Sequence, residues 1–150
     1  METLMDKLFE PRRNVVCVKP TRLGVVTDGV IALKKPDLIN LFEGISSEFV
    51  LIPFLCNGMH WCSIMARLST SEVFYYDPML SCFGNQAKAV AKTIQPLLSP
   101  SGSTRVRVRP YVFSLRTQTY SYNCGLFVLV AFEMFCGASS PGVRRSLGHQ

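Results

Sequence analysis

Charge is in short supply in this sequence: charged residues make up 17% of it, against about 25% in an ordinary soluble domain. Acidic residues are scarcer than basic ones, 10 against 16, which leaves a net charge of +6. With 48% hydrophobic residues, the composition excludes a predominantly disordered chain. Long apolar runs are also missing. The longest, Leu126 to Phe132, is far shorter than the roughly 20 residues a membrane helix requires. Met1 to Phe9 carries Glu2 and Asp6 and no apolar core of a signal peptide, which points to an intracellular protein, cytoplasmic or nuclear. In that reducing setting the six cysteines read as free thiols. None of them forms a C-x-x-C pair, so the usual signature of structural zinc is absent. Histidine is reduced to two residues and tryptophan to one.

At 150 residues the chain fits one domain, 1–150, with a core over about 22–136 and a Ser-, Gly-, Pro- and Arg-rich tail over 137–150. Met1–Phe9 reads as a short amphipathic helix and Val15–Val18 as a strand. Val30–Leu33 and Pro36–Phe42 read as two short helical pieces. Glu48–Cys56, His60–Leu68 and Glu72–Tyr76 are three strands with short connections, hence an antiparallel meander. Asn85–Leu98 reads as a helix whose regular part stops near Gln95, because Pro96 follows. Arg105–Phe113 reads as a strand, with Arg105, Arg107 and Arg109 on one solvated face rather than as a nucleic-acid stripe. Asn123–Phe135 is apolar on nearly every side, as a central helix must be, with Asn123 as N-cap and Gly137 as its stop.

Cys124 stands in the first turn of that helix, where unpaired amides and the macrodipole favour thiolate over thiol. Gly125 after it leaves room for an incoming carbonyl. A nucleophilic cysteine needs a base, and His149 lies in the tail, which leaves His60. His60 opens one strand and Asp77 closes the next, so hairpin pairing brings them to one rim of the sheet. A metal site from Cys56, His60 and Cys62 is the competing reading, since His60 and Cys62 share a strand face; lacking paired spacing, it ranks below, and no metal or cofactor is expected. Cys56, Cys62, Cys82 and Cys136 read as packing residues.

The segment Phe49–Pro78 resembles the His-Trp and Asp strands of the SUMO/ubiquitin-like-protein-specific cysteine proteases, and with them the adenovirus protease. His60 and Asp77 are seventeen positions apart, as in that family; Gln118 precedes Cys124 by six within QTYSYNCG, matching its Q-x5-[DN]-C-G pattern. Val25 to Ile31 resembles its W-L-N-D-x-x-I entry motif. The resemblance implies an α+β, papain-like fold with a central mixed or antiparallel sheet packed on the Cys124 helix. It implies a Cys124–His60–Asp77 triad, Gln118 in the oxyanion hole, and Trp61, Val25, Asp28 and Gly125 around the substrate. The implied substrate is a ubiquitin-like modifier or its protein conjugate, cleaved after a Gly-Gly-like tail.

The sequence departs from the family at Val25, where the motif has the second of two tryptophans that sandwich the Gly-Gly tail. A valine lacks the flat wall of an indole. That departure keeps two alternatives open: a viral- or transposon-type processing peptidase, and a non-catalytic remnant that binds a ubiquitin-like protein. An acetyl-CoA-dependent transferase built on the same Cys–His arrangement ranks below both.

Overall fold

Continuous apolar runs in the middle of the chain become the centre of a mixed sheet. The computed structural model describes residues 2–9, 11–78, 83–98, 107–112 and 124–137. In chain order the elements are α1 (Glu2–Phe9), β1 (Val15–Cys17), α2 (Pro20–Leu23), β2 (Val26–Thr27), β3 (Val30–Ile31), α3 (Lys35–Phe42), β4 (Phe49–Cys56), β5 (His60–Arg67), β6 (Glu72–Tyr76), α4 (Phe83–Leu98), β7 (Arg107–Pro110) and α5 (Cys124–Gly137). The architecture is α+β.

The strands run in the order β3-β2-β4-β5-β6-β7, with β1 also on β4. β4, β5 and β6 form the antiparallel meander read from the sequence. β1 and β2 lie parallel to β4, and β7 parallel to β6, which makes the sheet mixed. β4 is apolar at every position because both its faces are covered. Val50, Ile52, Phe54 and Cys56 pack with Val90, Ala91 and Ile94 of α4. Phe49 and Leu51 point the other way, into Phe9 of α1 and Val128, Leu129 and Phe132 of α5.

Pro53 sits inside β4, where a proline forfeits a ladder hydrogen bond. β1 ends opposite Leu51 and β2 begins opposite Cys56, so Pro53 lies in the seam between them. The Val18 amide donates to the Leu51 carbonyl, and alternate residues face the same flank; the missing N–H of Pro53 therefore points into that seam.

Two expectations need correction, and one element was not foreseen. Val30–Ile31 is a strand, not a helical piece: it pairs antiparallel with β2 across a two-residue Asp28–Gly29 turn in which both residues have positive φ (49° and 79°). Asp-Gly between β-branched residues is a strong hairpin signal, and the helical reading passed over it. α4 starts at Phe83 and continues through Pro96 to Leu98, because a proline in the last turn removes a single intrahelical bond. α2, with Pro20 at its first position, was not anticipated. Asn123 and the tail over 138–150 lie outside the described residues. Arg107 and Arg109 are exposed with Val108 half-buried between them, as alternation requires; Arg105 lies outside the described residues. Among the described residues no helix is long and apolar enough to cross a membrane.

Gly29 carries two constraints at once: a positive φ, and a close approach in which an added Cβ would stand 3.2 Å from Ala89 Cβ and 3.4 Å from Gln86 Cα on α4. Gly44 has a comparable φ of +78° but open space around it. Gly44→Ala should cost about 1 kcal/mol from backbone strain alone, and Gly29→Ala clearly more. Urea denaturation of the two variants checks this, and equal losses would show that the hairpin yields freely from α4.

Candidate active site

The β4–β5 turn places His60. Asn57 and Gly58 take positive φ (52° and 71°), and the Met59 amide closes the turn on the Cys56 carbonyl at 3.0 Å. His60 is the first residue of β5 and faces Cys56 across the ladder. On the other side of β5, Ser63 pairs with Tyr76. Asp77, one residue beyond β6, therefore falls opposite Cys62, a diagonal step from His60 and on the same sheet face. The side chains close that step: His60 Nε2 and Asp77 Oδ1 are 2.6 Å apart. Both are buried, at 4% and 5% exposure. In so little water a hydrogen bond between them is electrostatically strong and an unpaired partner costly.

The first turn of α4 closes over this pair. The Phe83 ring stacks on the imidazole, with centroids 4.6 Å apart and planes 25° from parallel. Gly84 follows, and a Cβ there would lie 3.9 Å from Asp77 Oδ2, so the carboxylate sits beside the positive end of α4. Cys62 is fully buried on the same face. A nitrogen of His60, Cys62 Sγ and an oxygen of Asp77 all lie within 4.8 Å of one another. The neighbouring Cys56 thiol is held below its usual pKa by a hydrogen bond with Cys62, against the opposing effects of burial and the Asp77 charge.

Cys124 is the first residue of α5. Near the other end of that helix, Phe135 meets Phe49 at 5.6 Å, and Phe49 pairs with Arg67, the far end of β5. The C-terminal part of α5 thus packs at the end of the sheet opposite His60. Gly125 is half-buried in the first turn. Gln118 lies outside the described residues, as does Cys82.

Val25, Leu55 and Trp61 share the α5 face of the sheet. Leu55 pairs with Trp61, and Val26 pairs with Cys56 while turning its own side chain into the opposite, α4-side core, so Val25 falls beside Leu55. Trp61 and Leu55 are half-buried and Val25 is 64% exposed. Asp28 serves the hairpin itself. Its amide donates to Asn57 Oδ1 at 2.8 Å, and its carboxylate accepts from Asn57 Nδ2 at 3.2 Å. The sequence analysis missed two residues here, Leu55 and Phe83; Cys62 entered it beside His60 and Cys56 as the lower-ranked metal site. Leu55 was legible from its place opposite Trp61. Phe83 carried no signal, because the segment before it gives no hint of where α4 begins.

The family model described as "Ulp1 protease family, C-terminal catalytic domain" matches residues 41–144, more than half of the chain. Among solved structures, the chain is similar to the central domain of the uncharacterized Lpg1148 protein from Legionella pneumophila, at 13% identity and a TM-score of 0.47. That similarity covers 89% of this chain and 85% of the other. No curated protein matches.

Two other thiols differ sharply from a reactive one. Burial pushes Cys17 up to about 12, with the neighbouring Cys136 adding to the shift, and burial likewise pushes Cys136 up to about 12. At pH 8 only about one such thiol in ten thousand is thiolate. Iodoacetamide at that pH should leave Cys17 and Cys136 of the folded protein unmodified and label both after unfolding. Peptide mass spectrometry reads the result, and fast labelling of both in the native state would contradict the packing of α5 on β1 and β4.

Proposed function

The chain belongs to the Ulp1 protease family, and from that premise we propose that it is a cysteine peptidase or isopeptidase acting on a ubiquitin-like protein or its conjugate. The observation that carries this reading is the buried 2.6 Å contact between His60 Nε2 and Asp77 Oδ1, at the end of the sheet opposite the C-terminal part of α5.

The contact bears on the proton inventory. With Nε2–H donating to Asp77, the neutral imidazole keeps its lone pair on Nδ1. Nδ1 is then the base available to Cys124, and Asp77 stabilises the imidazolium once the thiol proton has moved. The thiolate attacks the carbonyl carbon of the scissile bond. His60 returns the proton to the departing amine, and water then releases the acyl group from sulfur. The Gln118 side-chain amide and the Cys124 backbone N–H are the proposed donors to the oxyanion. Phe83 keeps the ring of His60 from turning and shields one of its faces from water.

The row of Val25, Leu55 and Trp61 is the proposed wall for the residues preceding the scissile bond, with Asp28 fixing the hairpin that carries Val25 and Gly125 leaving space at the nucleophile. The exposed valine favours a second reading of specificity, a peptide-like processing substrate, because it leaves the groove open where an indole would narrow it. The papain-like arrangement of helix and sheet follows from the same proposal.

Probes bearing a C-terminal electrophile on ubiquitin, on SUMO and on a short Gly-Gly peptide test the reading. Covalent capture of one of them, lost in Cys124→Ala, is the expected result; capture of the peptide alone would assign a processing peptidase. Absence of any capture with reactive Cys124 would leave the binding-only remnant. On the probe that works, Gln118→Ala should lower the rate ~100-fold or more. Asp77→Asn should lower it by up to ~10⁴-fold through the wrong tautomer, with the fold intact by circular dichroism.

A further inference from the structure

Cys62 has no part in the chemistry proposed above, yet its sulfur lies within 4.8 Å of the donor atoms of both His60 and Asp77. The three come from the end of one strand and the start of the connection after its neighbour, so their Cα positions are set by the ladder rather than by a loose loop. A fourth donor is at hand in Cys56, directly across β4 from His60. All four residues are at most 5% exposed.

We propose that His60, Cys62 and Asp77 form a binding site for a thiophilic divalent metal ion of the zinc type, and that metal binding and peptidase activity are mutually exclusive. Imidazole nitrogen, thiolate sulfur and carboxylate oxygen together are a zinc donor set; magnesium and calcium take oxygen shells. Two anionic ligands, Cys62 thiolate and Asp77, balance the charge of the ion where water is scarce. The geometry needs a modest opening. The 2.6 Å contact between Nε2 and Oδ1 must widen by about 0.7–1 Å to admit a tetrahedral ion at about 2.0–2.2 Å from each, and Cys62 Sγ must close in to about 2.3 Å from it.

The proton balance explains the exclusivity, and this half of the proposal rests on the catalytic reading of His60. On binding, the Cys62 thiol releases its proton to solvent and the ion takes the Nε2 lone pair. The ring proton must then reside on Nδ1, where the catalytic reading needs a lone pair. A metal at this site thus removes the base from Cys124 without touching Cys124. Cys56 completes the shell or leaves its place to water.

The test uses the Cys124→Ala, Cys56→Ser protein, which removes both competing thiols, in a thiol-free, metal-free reducing buffer. Cobalt(II) alone should produce a thiolate-to-cobalt charge-transfer band and the intense visible bands of a four-coordinate ion. Zinc should displace it. X-ray absorption of the zinc-loaded protein should find sulfur and imidazole together in the shell, a readout that needs no further variant. Adding Cys62→Ser should abolish the band and weaken zinc binding by at least the roughly 10–100-fold that losing an outer-shell partner costs. In the protein with Cys124 intact, Cys62→Ser should make turnover less sensitive to zinc by the same factor. A band that survives Cys62→Ser, a band that Cys124→Ala alone eliminates, or a shell without sulfur would each overturn the site. Failure of metal binding with capture by the electrophilic probes intact sinks this inference and spares the peptidase reading; metal binding without capture does the reverse.

Discussion

Register between β5 and β6 is the constraint on which the rest of this molecule depends. Side chains alternate along a strand with a period of two, so the pairing of Ser63 with Tyr76 decides at once which residues face α4 and which face α5. In the observed register His60, Cys62 and Asp77 share one face, while Met65 and Tyr76 enter the core against α5. A slip of β6 by one residue would turn Asp77 away from His60 and would also push Phe74 and Tyr76 out of their core. The apolar packing thereby enforces the polar contact. A buried histidine and carboxylate add little to stability on their own, since the cost of dehydrating them offsets much of their attraction. They stay together because Phe49, Leu51, Met65 and Phe132 leave the strands no other pairing.

Much of this was legible in the sequence because the governing signals are local. The meander follows from three β-rich runs separated by short turns, and the His60–Asp77 encounter follows from where those runs start and stop. The hairpin at Asp28–Gly29 was equally local, but two β-branched residues before a Leu-Lys-Lys-Pro stretch were read together with the helix that follows. What could not be read was everything that depends on a contact between distant segments. Phe83 covers His60 only because α4 crosses this end of the sheet, and no periodicity announces a crossing. Cys62 was assigned to packing, with a metal site beside Cys56 and His60 as the lower-ranked alternative, and it is buried. Its distance from the His–Asp pair depends on a diagonal pairing that only the register reveals.

The two faces of the sheet divide their labour. On the α4 side lie the histidine, the carboxylate and two thiols; on the α5 side lie Trp61, Leu55 and the start of the Cys124 helix. The proposed base, His60, and the helix that begins with Cys124 therefore lie on opposite faces, each backed by its own core, with Ile94 and Phe54 behind one and Phe132 and Leu129 behind the other. Such bracing would serve the proposed reaction, which depends on sub-ångström alignment.

The reciprocal bonds between Asp28 and Asn57 have a consequence for how this sequence can change over time. Asn57 occupies a left-handed position that tolerates asparagine better than most residues, and its amide both accepts from the Asp28 backbone and donates to the Asp28 carboxylate. Replacing either partner alone leaves the other's hydrogen-bonding group to water and loosens the hairpin that carries Val25. Replacements at the two positions should therefore arrive together or not at all.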